Sequence, residues 1–161
     1  EAGMTNALYD VGYSMNDSDP DYVVVSEAQS YNYATLTHAI QLVRNGARLI
    51  GTNPDLTGPV ETGIAPATGA LIAPIELATG CKAYFVGKPN PLMMRTALNY
   101  LGVHSEDTRM VGDRMDTDIV AGVESGMETI LVLTGVTTRE GVEQFPYRPT
   151  HIVASVADIE V

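Results

Sequence analysis

The sequence predicts an α/β protein built on parallel strands, and three observations carry that expectation. Short apolar runs rich in β-branched residues alternate with stretches of helical periodicity, the pattern of strand-helix-strand units. Two of the runs stop at a glycine followed by a charged residue, Gly87-Lys88 and Gly112-Asp113. That puts charge beyond the carboxyl ends of strands, where open parallel sheets collect ligands. Finally, 161 residues, 45% of them apolar, can bury a core without a disulfide or metal staple.

Each element follows from its residues. Met4, Ala7, Leu8 and Val11 recur at helical spacing, with Gly12 as C-cap. A polar, turn-rich loop runs from Ser14 to Pro20, and the apolar run Asp21 to Glu27 predicts a buried strand. Asn32 reads as the N-cap of a helix with Leu36, Ala39, Ile40 and Val43 on one face, ending near Asn45-Gly46. A strand from Ala47 to Thr52 stops at the turn Asn53-Pro54-Asp55, and Leu56 to Pro66 reads as loop because proline and glycine crowd it. A helix over about Thr68 to Ala78 ends at Gly80, with Pro74 predicting a kink or irregular start. The second half alternates regularly: strand Lys82 to Val86, helix Pro91 to Leu101, strand Thr108 to Val111, helix Asp116 to Ser125, strand Glu128 to Leu133, and a short strand at His151 to Val153. The alternation implies a parallel sheet covered on both faces.

Charge narrows the function. A formal net charge of −11 makes nucleic acid and anionic membrane poor partners, though a cation or a single lysine can still neutralise a phosphate inside a site. No apolar run approaches the ~20 residues that span a bilayer. One cysteine, Cys81, cannot form an internal disulfide, which makes the cytoplasm the default setting, and the thiol reads as buried or inert. His38, His104 and His151 are too scattered to suggest zinc.

The chemistry gathers around Val111-Gly112-Asp113-Arg114-Met115-Asp116-Thr117-Asp118. Asp113 ends a strand, where a hard cation such as Mg2+ can take one or two carboxylates and fill its shell with water and substrate phosphate. The competing reading is an ordinary strand-to-helix turn whose acids complement a helix N-terminus. Lys88 ends the preceding strand before Pro89 and Pro91 open a helix. A point charge for an oxyanion and a carboxylate for a metal are what phosphoryl transfer requires.

Gly87-Lys88-Pro89, followed by Gly112-Asp113 and Asp118, resembles motifs III and IV of the haloacid dehalogenase superfamily of phosphatases. The similarity is closest to the NagD-like, or para-nitrophenylphosphatase-like, branch. That branch shares Thr52-Asn53-Pro54-Asp55, Gly69-Ala70, Ile75-Glu76 and Ala78-Thr79-Gly80. It also shares Met127-Glu128-Thr129 leading into Leu131-Val132-Leu133-Thr134-Gly135, and Arg148-Pro149-Thr150. The resemblance covers essentially the whole chain. It implies a Rossmann-like parallel sheet with an α/β cap, in which residues 1–82 are a partial cap and 83–161 the C-terminal half of the core. It further implies a Mg2+-dependent phosphohydrolase that acts on a small phosphorylated metabolite through a phosphoaspartate. Lys88 is then expected to steady the phosphoryl group and the nucleophile, and Asp113 to ligate Mg2+. Asp118 is expected to orient metal-bound water or Lys88, and Asn53 and Asp55 to contact substrate. Asp116 matches no position of the motif and falls to the helix N-terminus. Caps of this branch often pair, so the resemblance extends to a homodimer.

The sequence departs from the family where it matters most. The nucleophile motif, two aspartates one residue apart at the end of the first core strand, has no counterpart. Asp17-Ser18-Asp19 and Asp19-Pro20-Asp21 precede an apolar run instead of ending one, and Asp116-Thr117-Asp118 already belongs to motif IV. Thr52 mimics the hydroxyl of motif II, but its context fits the cap turn better. The chain, opening at Glu1, therefore reads as the C-terminal part of a phosphatase, and the expectation is that it has negligible activity alone. The alternative class is a non-catalytic α/β module that binds a phosphorylated metabolite or self-associates through a bare sheet edge. A receiver-like signalling domain fits less well, because it leaves the cap-like half unexplained.

Overall fold

The structure is a computed structural model that describes residues 2–159. It forms two compact units, one up to Gly87 and one from Lys88 onward.

In the first unit, α1 (Ala2–Asp10) buries none of its side chains. The loop that follows is tied by Asn16, whose Oδ1 accepts from the amides of Ser18 at 3.0 Å and Asp19 at 3.2 Å. β1 (Tyr22–Val25), β2 (Arg48–Gly51) and β5 (Tyr84–Phe85) make a parallel sheet in the order β1-β2-β5, with Val24 opposite Ile50 and Ile50 opposite Tyr84. Helix α2 (Tyr33–Arg44) starts where the sequence places it: Asn32 Oδ1 accepts from Ala34 and Thr35, and Thr35 Oγ1 accepts from the amide of Asn32. Its apolar face and α3 (Thr68–Thr79) close on the sheet. Val43, Leu49, Ile72 and Ile75 are buried there, with Val23, Val25, Leu36, Ala39, Ile40, Ala83 and Phe85 packed around them. Pro74 lies inside α3, which continues unbroken to a left-handed Gly80.

One expectation fails here. Leu56 to Pro66 is not simply loop: β3 (Thr57–Val60) and β4 (Gly63–Pro66) pair as an antiparallel hairpin. Pro59 and Pro66 hid it, since proline is read as a strand breaker. In a two-stranded ribbon every strand is an edge, and a proline whose missing N–H faces outward costs the ladder nothing.

The second unit holds α4 (Pro91–Leu101), capped by Asn90 Oδ1 on the amide of Leu92 at 2.8 Å. A second parallel sheet runs in the order β6-β7-β8, from β6 (Arg109–Gly112), β7 (Glu128–Val132) and β8 (His151–Val153), with Val111 opposite Ile130 and Leu131 opposite Ile152. Consecutive strands β5 and β6 thus belong to different sheets. Met115, Ile119, Leu131 and Val142 form the buried centre, with Leu133, Phe145, Tyr147 and Ile152 against it. The helix expected over Asp116 to Ser125 is composite. A wide π turn occupies Met115–Ile119, and only α5 (Val120–Glu124) is α-helical.

Candidate functional site

The π turn follows from where one carboxylate goes. Asp118 is only 3% exposed. Its Oδ2 folds back to accept from the amides of Asp113 at 3.2 Å and Arg114 at 3.1 Å, and its Oδ1 accepts from Lys88 Nζ at 2.6 Å. A buried carboxylate held by one ammonium and two amides is satisfied on both oxygens. Gly112 makes the approach possible, because a Cβ there would overlap the Asp118 side chain. The amides of Asp118 and Ile119 in turn both reach the carbonyl of Arg114, which widens the turn beyond α-helical geometry.

Lys88 opens the second unit at a cis peptide to Pro89, with its side chain 42% exposed against 5% for that of Asp118. The ammonium is therefore fixed to a buried partner while the lysine side chain stays partly exposed. Arg114 and Asp116 pair in a fork, Nη2 to Oδ2 at 2.7 Å and Nε to Oδ1 at 3.0 Å. Asp116 sits in the first turn as expected, but its charge is spent on Arg114.

Asp113 is held differently. Its Oδ2 accepts from the amide of Val136 at 2.8 Å and its carbonyl from the amide of Thr137 at 3.0 Å. Among the described residues, Oδ1 accepts no hydrogen bond. One carboxylate oxygen bound to protein and one open is a donor set that suits a hard cation completed by water and phosphate. No group of three acidic, histidine or cysteine side chains converges among the described residues. Met115, fully buried between the two aspartates, anchors the turn in the core; its carbonyl accepts from Tyr147 Oη at 2.9 Å, and its amide donates to Thr137 Oγ1 at 3.2 Å. Burial, with the Asp116 and Glu124 carboxylates adding to it, pushes the Tyr147 phenol above its usual value.

The structure thus brings Lys88, Asp113 and Asp118 together in one unit. Asn53 and Asp55 lie in the other, joined to each other by Asn53 Nδ2 to Asp55 Oδ2 at 2.6 Å. Thr52 Oγ1 bridges Asn53 Oδ1 and the buried Thr68 hydroxyl at the start of α3, and the carbonyl of Asp55 accepts from Gly69. The three D-x-D acids of the loop before β1 are exposed, Cys81 is exposed instead of buried, and His38 on α2, His104 in the loop after α4 and His151 at the start of β8 are exposed and apart in the chain. Sequence reasoning missed Val136, Thr137 and Tyr147. The Leu133-Thr134-Gly135 motif lay beside the first two, but nothing in the order of residues showed that they reach Asp113 and Met115.

Residues 85–159 match the model of the HAD-hydrolase-like family. Over 161 residues, 100% of this chain, it is 47% identical to the ribonucleotide monophosphatase NagD of Escherichia coli K12, of which it spans 63%. It is 49% identical over 159 residues to the dihydroxyacetone phosphatase of Corynebacterium glutamicum, covering 99% of this chain and 58% of that one. The solved structure of NagD from E. coli K-12 superimposes with a TM-score of 0.90 at 46% identity, over 99% of this chain and 63% of that one. The chain therefore spans about three fifths of these relatives.

Proposed function

We infer that this chain, which belongs to the NagD-like branch of the haloacid dehalogenase superfamily, supplies the phosphate-steadying and metal-binding half of a Mg2+-dependent phosphohydrolase for small phosphate monoesters. One observation carries the reading: the Lys88 ammonium is tied at 2.6 Å to a buried Asp118 whose other oxygen gathers the amides of the Asp113 turn. Cation and metal-directed carboxylate are thereby fixed to a single loop. Pre-set charges of this kind cost no reorganisation when negative charge develops on a transferring phosphoryl group.

In this reading Asp113 Oδ1 holds Mg2+, which when bound neutralises phosphoryl oxygens. Lys88 steadies the phosphoryl group, and Asp118 keeps Lys88 extended. The nucleophile, an aspartate phosphorylated and then hydrolysed in the family mechanism, comes from residues outside this sequence. Residues 1–82 act as part of the cap and 83–161 as the C-terminal half of the core. Asn53 and Asp55 contact substrate from the cap side, and the protein works in the cytoplasm. One relative is named a dihydroxyacetone phosphatase and another a ribonucleotide monophosphatase. Those two classes head the substrate panel.

The test is phosphate release with Mg2+ from such a panel by the protein at its native length. Release that falls at least a hundredfold on Lys88→Ala and on Asp113→Asn supports the reading, in line with the rates lost when a charge-stabilising group is removed. Full activity in either variant overturns it. The 161-residue chain alone is expected to release no phosphate, for want of a nucleophile.

A further inference from the structure

We propose that Gly135 and Thr137 are positioning residues for the metal-binding carboxylate: the segment Gly135-Val136-Thr137 locks Asp113 in the one orientation that turns Oδ1 outward. The inference rests on the reading of Asp113 as a metal ligand. Four contacts carry it, none of them between neighbours in sequence. Val136 N–H donates to Asp113 Oδ2 at 2.8 Å, and Thr137 N–H to the Asp113 carbonyl at 3.0 Å. Thr137 Oγ1 accepts from Met115 N–H at 3.2 Å, so this one residue grips the turn on both sides of Arg114. Gly135 completes the clamp by absence: a Cβ built there would overlap Oδ2, Cγ and Cβ of Asp113. Its φ is not in the left-handed region, so the glycine is required by the carboxylate and not by the backbone.

The physical consequence is rotational. A carboxylate on a free side chain offers either oxygen, in several rotamers, to a cation. With Oδ2 occupied by an amide and the methylene hemmed in by Gly135, only Oδ1 is offered, and the entropy of orienting the ligand is removed before metal arrives. Gly135→Ala drives the carboxylate out of this position. Thr137→Val removes the hydroxyl contact to Met115 while keeping the shape, and Thr137→Ser restores it.

The test measures Mn2+ binding to the protein at its native length by the electron paramagnetic resonance of the free ion, well below the melting temperature of each variant. Gly135→Ala and Thr137→Val are expected to weaken Mn2+ binding by roughly ten- to hundredfold, the range usual for groups that orient a metal ligand, with Thr137→Ser close to the parent. A purely structural role would lower the melting temperature and leave Mn2+ affinity alone. Parent-like affinity in both Gly135→Ala and Thr137→Val therefore overturns the clamp, while leaving Asp113 as ligand. If the unsubstituted protein fails to bind Mn2+, or binds it equally after Asp113→Asn, the metal reading falls and the clamp with it. Should Gly135→Ala not fold, the Thr137 pair alone decides.

Discussion

Replacing Lys88 by Met and replacing Asp118 by Asn remove the two halves of one ion pair, yet the costs to stability should differ. Asp118 is almost wholly buried, whereas the Lys88 side chain is 42% exposed. Without the lysine, a buried carboxylate keeps only its two amide donors, and we expect a loss of about 2–3 kcal/mol. In the Asp118→Asn variant the amides keep an acceptor and the ammonium turns to water, so about 1 kcal/mol is expected. Urea denaturation at pH 7 checks the order, and Asp118→Asn costing more than Lys88→Met would sink the account. Tyr147 gives a second residue-scale prediction. Its phenol is raised by burial first and by Asp116 and Glu124 second, so the folded state favours the protonated form. That contribution is present below the unfolded value near 10 and is lost as pH rises through the higher folded value. Tyr147→Phe is expected to cost about 1 kcal/mol at pH 7 and to flatten the alkaline fall in melting temperature. A variant with an unchanged alkaline limb would contradict this.

At the scale of elements, local rules worked wherever the determinants were local. Asn32 was legible as a cap because its acceptor serves amides two and three residues on, and Asn32→Ala is expected to lower stability by about 1 kcal/mol in thermal or urea unfolding, with Asn32→Asp much less affected. Gly80 was legible as a helix end for the same reason, adopting positive φ just beyond α3. The π turn was not legible. Met115 to Ile119 carries an ordinary first-turn pattern of acids, and what widens it is a carboxylate that reaches back across Gly112. The hairpin at Thr57 to Pro66 was missed because two prolines silenced the strand signal. Glu76 shows the opposite case, an α3 residue whose partners lie past the helix: it accepts from the amide of Ala83 at 2.8 Å and from Lys82 Nζ at 2.9 Å. The Ala83 bond first, and Lys82 second, hold its carboxyl below the usual value. A depressed acid lends stability above its unfolded pKa near 4.5 and loses it as pH falls through the folded one. The gap in melting temperature between the parent and Glu76→Gln is therefore expected to narrow from pH 7 to pH 3, and a constant gap would count against it.

For the molecule as a whole, the sequence exposed the fold class and the strand ends beyond which Lys88 and Asp113 stand, because parallel α/β units stop their strands at turns that glycine marks. It was silent on how Asp113 is held, since the residues that hold it come from after β7 and are polar through their backbones. Self-association belongs to this scale. β6 is an edge of its sheet among the described residues, and Val111 on it is 38% exposed. An uncovered apolar edge recruits further strands. The 161-residue chain alone is expected to gain mass with concentration in sedimentation velocity, and a single monomeric species throughout would exclude that.

Gly112 and Gly135 are the two places where a carboxylate lies where a methyl group would otherwise be. Neither has positive φ, so each glycine answers to one acid and to nothing in its own backbone. Such a dependence is conditional, and it gives the site a grammar that can be read across divergent sequences. Where a descendant of this chain loses Asp118, position 112 is released to accept alanine or serine; where it loses Asp113, position 135 is released in the same way. The order of change is constrained as well, because the glycine can drift only after its acid has gone. A side chain at 112 or 135 would thus mark a lineage in which the matching acid has already gone, even if Lys88 still stands in its place.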